Sequence, residues 1–132
     1  GVLDGQDAAT RKEIWSQAIV LNRTRDEERF DAYITETLKQ RCLLDIDYAL
    51  VHFNISGEDN GIEPGTGEVT NIKAPALVLR GEDDLVVSRE MSEDVTERIA
   101  DARYVELEGC GHAPTVDDPE RLLGDVESFL TA

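Results

Sequence analysis

The sequence predicts an α/β fold built on parallel strands, and three observations carry that expectation. The run "APALVLRG" (residues 74–81) is apolar almost throughout and closed by Gly81, the pattern of a strand covered on both faces. A second strand-like run, "ARYVELEG" (102–109), follows it, separated by the helix-patterned "SREMSEDVTERIA" (88–100). A further helical pattern, "DPERLLGDVESFL" (118–130), comes last. Strand, helix, strand, helix is a βα repeat, so the strands should run parallel with a right-handed crossover. Two parallel strands alone leave open edges, and parallel sheets normally occur as larger covered assemblies. Residues 72–132 are therefore expected to be the closing βαβα units of a larger sheet.

The elements before that point are helical. Residues 1–56 form a helical segment in two stretches. "TRKEIWSQAIVLN" (10–22) opens with Thr10 and Glu13 at capping-box spacing, and Ile14 and Ala18 with Trp15 and Ile19 make an apolar stripe. The stretch from Thr24 to Phe53 opens with a second such pair, Thr24 and Glu27. In it Phe30, Ile34 and Leu38 share a face beside Tyr33, and its length predicts a break into two helices around Leu44 to Asp47. Residues 57–71 are a Gly- and acid-rich connector without periodicity.

Past the connector, each helix has its own start signal. Ser88 is placed to cap one helix, with Glu90 in its first turn. Asp118 is placed to cap the last, with Pro119 at its first position and Leu122, Leu123, Val126 and Leu130 along one face.

With 29 acidic against 13 basic residues the chain carries −16, which disfavours nucleic acid and anionic membranes as partners and suits a strongly solvated surface. Two cysteines, Cys42 and Cys110, are too few for a disulfide framework or a zinc site. No apolar run approaches the roughly 20 residues of a membrane span, so a cytoplasmic location is expected. The chain opens on Gly1 rather than Met, as expected of a piece cut from something longer or one that has lost its native start.

The chemistry sits where the strands end. In an open parallel sheet, ligands bind beyond the carboxyl ends of the strands. One strand runs into Gly81, Glu82, Asp83 and Asp84, and the other into "EGCGHAPTVDDPE" with His112. Adjacent strands thus bring an acid and a histidine to one rim, where a carboxylate can accept the imidazole Nδ1–H and fix its tautomer. Gly109 and Gly111 allow the turn that aims the ring. Cys110 lies too near His112 in sequence to face it as a thiol nucleophile, and Cys42 is expected to pack in a helix. His52, near a helix end, is expected to be structural or solvated, not catalytic. Trp15 and its aromatic neighbours are expected to pack in the core or, alternatively, to line an apolar pocket.

"IKAPALVLRGEDDLVV" followed by "ARYVELEGCGHAPTVDDPERLLGDVESFL" resembles the C-terminal portion of the α/β-hydrolase family. The shared pattern is an apolar strand, G-x-x-D, a helix, another strand, G-H, and an acid-x-Pro-Glu approach to the final helix. It spans Ile72 to Leu130, with Asp84 and His112 separated by 28 positions. The resemblance implies that Asp84 is the triad acid, with Asp83 its exposed neighbour, and that His112 is the base. It implies hydrolysis of an ester or related bond in a small-molecule substrate, without metal or organic cofactor. It also implies that residues 7–56 correspond to the family's helical cap. Ser88 stands where the family often has proline.

One departure is larger. The family places its nucleophile on a strand-to-helix turn written G-x-S-x-G, or with Asp or Cys at its centre. No such motif stands between a strand and a helix here. The nucleophile is therefore expected in a missing N-terminal half of the same gene product or in a second chain, and self-association through the open sheet is a further expectation. The rival reading is a non-catalytic binding or assembly module on the same scaffold.

Overall fold

The computed structural model describes residues 8–19 and 26–132. Its elements run α1 (Ala8–Ala18), α2 (Glu27–Thr37), α3 (Leu43–His52), a 3-10 turn (Glu68–Asn71), β1 (Ala76–Gly81), α4 (Arg89–Arg98), β2 (Ala102–Leu107), α5 (Pro114–Asp117) and α6 (Pro119–Leu130). β1 and β2 pair in parallel, from Ala76 opposite Ala102 to Gly81 opposite Leu107. Both strands therefore end at the same rim.

Local chemistry accounts for most of the boundaries. Ser88 has extended dihedrals and its hydroxyl accepts from the Met91 amide, starting α4 as the sequence predicts. The Asp118 carboxylate accepts from the Arg121 amide at 3.0 Å, with Pro119 just inside α6. Other expectations are corrected. Thr10 lies inside α1 (Ala8–Ala18) rather than capping it. Thr24 falls outside the described residues, and α2 is capped by Asp26, which accepts from the Arg29 amide at 3.0 Å. The break between α2 and α3 falls at residues 38–42, ahead of the Leu44–Asp47 stretch where the sequence placed it. Cys42 is exposed at the entrance to α3 instead of packed.

Two small clusters organise the molecule. Phe30, Ile34 and Val116 are buried together, with Trp15, Ile19 and Ala113 packed against them. Trp15 meets Phe30 at a ring-centroid distance of 6.4 Å, and Lys12 bridges α1 to Glu27 and Asp31 on α2. This cluster joins the helical segment to α5, immediately after His112. Leu38 and Ile14, expected on the apolar faces, are exposed.

The second centre is the sheet, which α4 covers on one face. Leu77, Val78 and Leu79 are only half-buried, which corrects the expectation of a strand covered on both sides. A sheet of two strands cannot by itself enclose so apolar a run. On α6, Leu123 and Leu130 of the predicted apolar face are exposed as well.

The connector is folded, not loose. Asn54 donates to the carbonyls of Glu58 and Glu63, the Gly67 amide donates to Ser56, and Arg98 of α4 pairs with Glu58 at 2.9 Å. His52 pairs with Glu63 at 2.5 Å and stacks on Tyr48. Among the described residues, no helix is long and apolar enough to cross a membrane.

Candidate active site

The parallel register sends two loops out of the same rim: residues 82–88 after β1, and residues 108–113 after β2. Backbone bonds fasten the loops to each other. The Glu82 amide donates to Leu107 at 2.9 Å, and the Asp83 amide donates to Cys110 at 3.0 Å. In return, the Gly109 amide donates to the Glu82 carboxylate at 3.1 Å.

Two glycines make this approach possible. A Cβ on Gly81 would lie 2.1 Å from the Gly111 carbonyl oxygen and 2.4 Å from that of Cys110, so only glycine fits where the two loops touch. Gly109 turns the second loop with φ of +69°, a left-handed conformation that glycine adopts without steric penalty.

The His112 loop is held from its far side too. The buried Asp117 carboxylate accepts the Gly111 amide at 2.8 Å, and the Ala113 amide donates to the Ile19 carbonyl at 3.1 Å. The residues on both sides of His112 are thus anchored, one by α5 and the other by the end of the α1 segment. The one-turn helix α5 was not legible in the sequence, although Pro114 and Asp117 at its two ends are its signal.

Between these loops His112 Nδ1 lies 2.9 Å from Asp84 Oδ2 and 3.2 Å from Oδ1. The Asp84 side chain is only 6% exposed and that of His112 is 37% exposed. The carboxylate is fully engaged: Oδ1 also accepts the amides of Val86 at 2.7 Å and Val87 at 3.0 Å. Burial acts to raise the Asp84 pKa, but the Val87 amide, the His112 ring and the Val86 amide outweigh it, and the carboxyl ionises below its ordinary 3.8. A carboxylate this well solvated by the protein stays charged and accepts the Nδ1–H, which leaves Nε2 with the lone pair. Asp83, its neighbour in sequence, is exposed.

Such an arrangement can take a proton at Nε2 and stabilise the imidazolium that results. The thiol nearest in sequence cannot serve as its nucleophile. Cys110 is buried, and burial, with Asp117 and Asp118 close by, pushes its pKa up to about 11, away from the thiolate a nucleophile requires. Among the described residues no group of three or more His, Cys, Asp or Glu side chains is arranged to hold a metal ion.

Solved structures share this architecture. A serine hydrolase involved in carbazole degradation matches 99% of this chain over 50% of its own, with a TM-score of 0.71 at 19% identity. A 2-hydroxy-6-oxo-6-phenylhexa-2,4-dienoate hydrolase from Rhodococcus sp. strain RHA1 matches 96% of this chain over 45% of its own, with a TM-score of 0.64 at 16% identity. No protein-family model matches the chain, nor does any curated protein. The chain spans half or less of the length of these two structures. The chain therefore has the fold of the corresponding part of an α/β-hydrolase.

Proposed function

We propose that this chain supplies the acid and the base of a hydrolase that cleaves an ester or related bond. The observation that carries the proposal is the 2.9 Å contact between His112 Nδ1 and a carboxylate, Asp84, that is buried and held by two backbone amides. His112 Nε2 would take the proton of an attacking hydroxyl as its oxygen bonds to the carbonyl carbon. It would then return that proton to the departing alkoxide as the tetrahedral intermediate collapses. Water, deprotonated by the same nitrogen, would release the acid and restore the nucleophile. With a carboxylate nucleophile, His112 would act only in this second step.

In this proposal the nucleophile and the oxyanion-stabilising amides come from residues beyond these 132, in the same gene product or in a second chain. The half-buried β1 supports it, because an apolar parallel strand needs neighbours on both sides. The proposal includes a cytoplasmic location and a small-molecule substrate. It calls on no cofactor.

The test is hydrolysis of an activated ester by the complete gene product and two variants. His112→Ala should lower kcat/KM by about 10⁴ or more, and Asp84→Asn by a comparable factor, since the wrong tautomer then faces the nucleophile. Variants that keep the parent rate would remove the proposal.

A further inference from the structure

One residue of β1 breaks its apolar pattern. Arg80 follows Ala76, Leu77, Val78 and Leu79, yet its guanidinium is not in solvent: the residue is 8% exposed. A cation withdrawn from water needs compensation, and the bonds it makes show where that compensation lies. Nε donates to the Val87 carbonyl at 2.8 Å, Nη1 to the Glu82 carbonyl at 3.1 Å, and Nη2 to the Asp84 carbonyl at 3.0 Å. Nη1 also meets Glu106 of β2 at 3.3 Å. All three carbonyls belong to the loop that carries Asp84.

We propose that Arg80 is a positioning residue for the Asp84–His112 pair, holding the acid loop in the one conformation that presents the carboxylate to the imidazole. The proposal rests on the functional reading above. Its geometry is direct. Val87 gives its carbonyl to Arg80 and its amide to Asp84 Oδ1, so one peptide segment links the guanidinium to the carboxylate. The Asp84 main chain is gripped as well, through its own carbonyl.

Only arginine suits the task, because its planar fork offers donors in several fixed directions at once, whereas a lysine ammonium is a compact charge on a flexible stem. Glu106 balances the buried cation and is itself held by Arg89 and by the Tyr104 hydroxyl. None of the bonds described for Arg80 goes to His112. Arg80 acts through Asp84.

The experiment compares Arg80→Met, Arg80→Lys and Glu106→Gln in the complete gene product, by amide hydrogen exchange and by steady-state ester hydrolysis. Arg80→Met should speed exchange at the Val86 and Val87 amides by about tenfold or more, as expected when hydrogen bonds to a charged donor are lost. Amides within β1 and β2 should change by less than about twofold if the effect is confined to the loop. It should lower kcat by about tenfold or more with KM nearly unchanged, the mark of a misplaced catalytic group, not of a lost binding contact. Arg80→Lys should recover part of both effects. Glu106→Gln should leave the two valine amides protected.

Unchanged valine amides in Arg80→Met would overturn the proposal. A rise in exchange spread evenly over β1 and β2 would overturn it too, by making Arg80 a general stabiliser. So would an equal loss of protection in Glu106→Gln, which would place the effect in the ion pair. Failure of the functional reading has a separate signature: His112→Ala would then keep its ester turnover whatever the valine amides do.

Discussion

Replacing Gly81 by alanine tests how closely the two loops must approach. The added Cβ would meet the Gly111 oxygen at 2.1 Å and the Cys110 oxygen at 2.4 Å, both backbone atoms with no flexible side chain to move aside. An ordinary carbon-to-oxygen contact is about 3.3 Å, so the loops must part by about 1 Å. Gly81 lies just ahead of Asp84, and Gly111 immediately precedes His112. A similar separation carried to the pair would stretch the 2.9 Å contact beyond hydrogen-bonding range. Overpacking of this kind costs about 1–3 kcal/mol of stability, and a 1 Å misplacement of a catalytic group costs about 10² in rate.

Gly124→Ala is the matched control. Gly124 lies in α6 with open space around its Cβ position, so alanine there should stabilise by about 0.5–1 kcal/mol and leave the rate alone. Chemical denaturation and activated-ester turnover of the two variants read both quantities. A Gly81→Ala protein with parent kcat would refute the reasoning, since the pair would then tolerate a displaced loop.

Two further outcomes are expected. Asp84 ionises below 3.8 when folded, so the unfolded chain binds more protons than the native one as pH falls through this range. Its contribution to stability should be complete above that value and lost as pH drops through the lower folded pKa. Denaturation midpoints measured from about pH 5 downward should therefore depend less on pH in Asp84→Asn, and parallel pH profiles for parent and variant would sink the assignment. The two thiols should also differ in reactivity. Cys42 is exposed whereas Cys110 is buried with a raised pKa, so one thiol per chain should react with a disulfide reagent in the native state and both after denaturation. Equal reaction of both native thiols would contradict the buried placement.

The sheet and its helices were legible because their signals are local. Gly81 closes an apolar run, Ser88 and Asp118 carry capping oxygens, and Pro119 sits where its missing N–H goes unneeded. The helical segment was less legible where signals competed. Thr24 with Glu27 matches a capping box, yet Asp26 caps the helix, since several residues in that acidic stretch could accept an amide. The break between α2 and α3 was expected too late in the chain, because Lys39, Gln40 and Arg41 are good helix formers and give no stop signal.

At the site, sequence order brought Asp84 and His112 to one rim. What it could not convey was the support beneath them. Arg80 stood in plain view as the one charge in an apolar strand, but its partners are carbonyls, which carry no side-chain signature. Asp117 was likewise part of a motif whose bond to the Gly111 amide only the folded loop reveals.

The most direct test of the account compares ester hydrolysis by these 132 residues alone with hydrolysis by the complete gene product, together with any chain that co-purifies with it. If Asp84 and His112 are an acid and a base whose nucleophile lies elsewhere, the 132 residues alone should be inactive. The complete assembly should turn over, and lose that turnover in His112→Ala. Robust His112-dependent hydrolysis by the 132 residues alone would contradict the account, because the nucleophile would then have been among them.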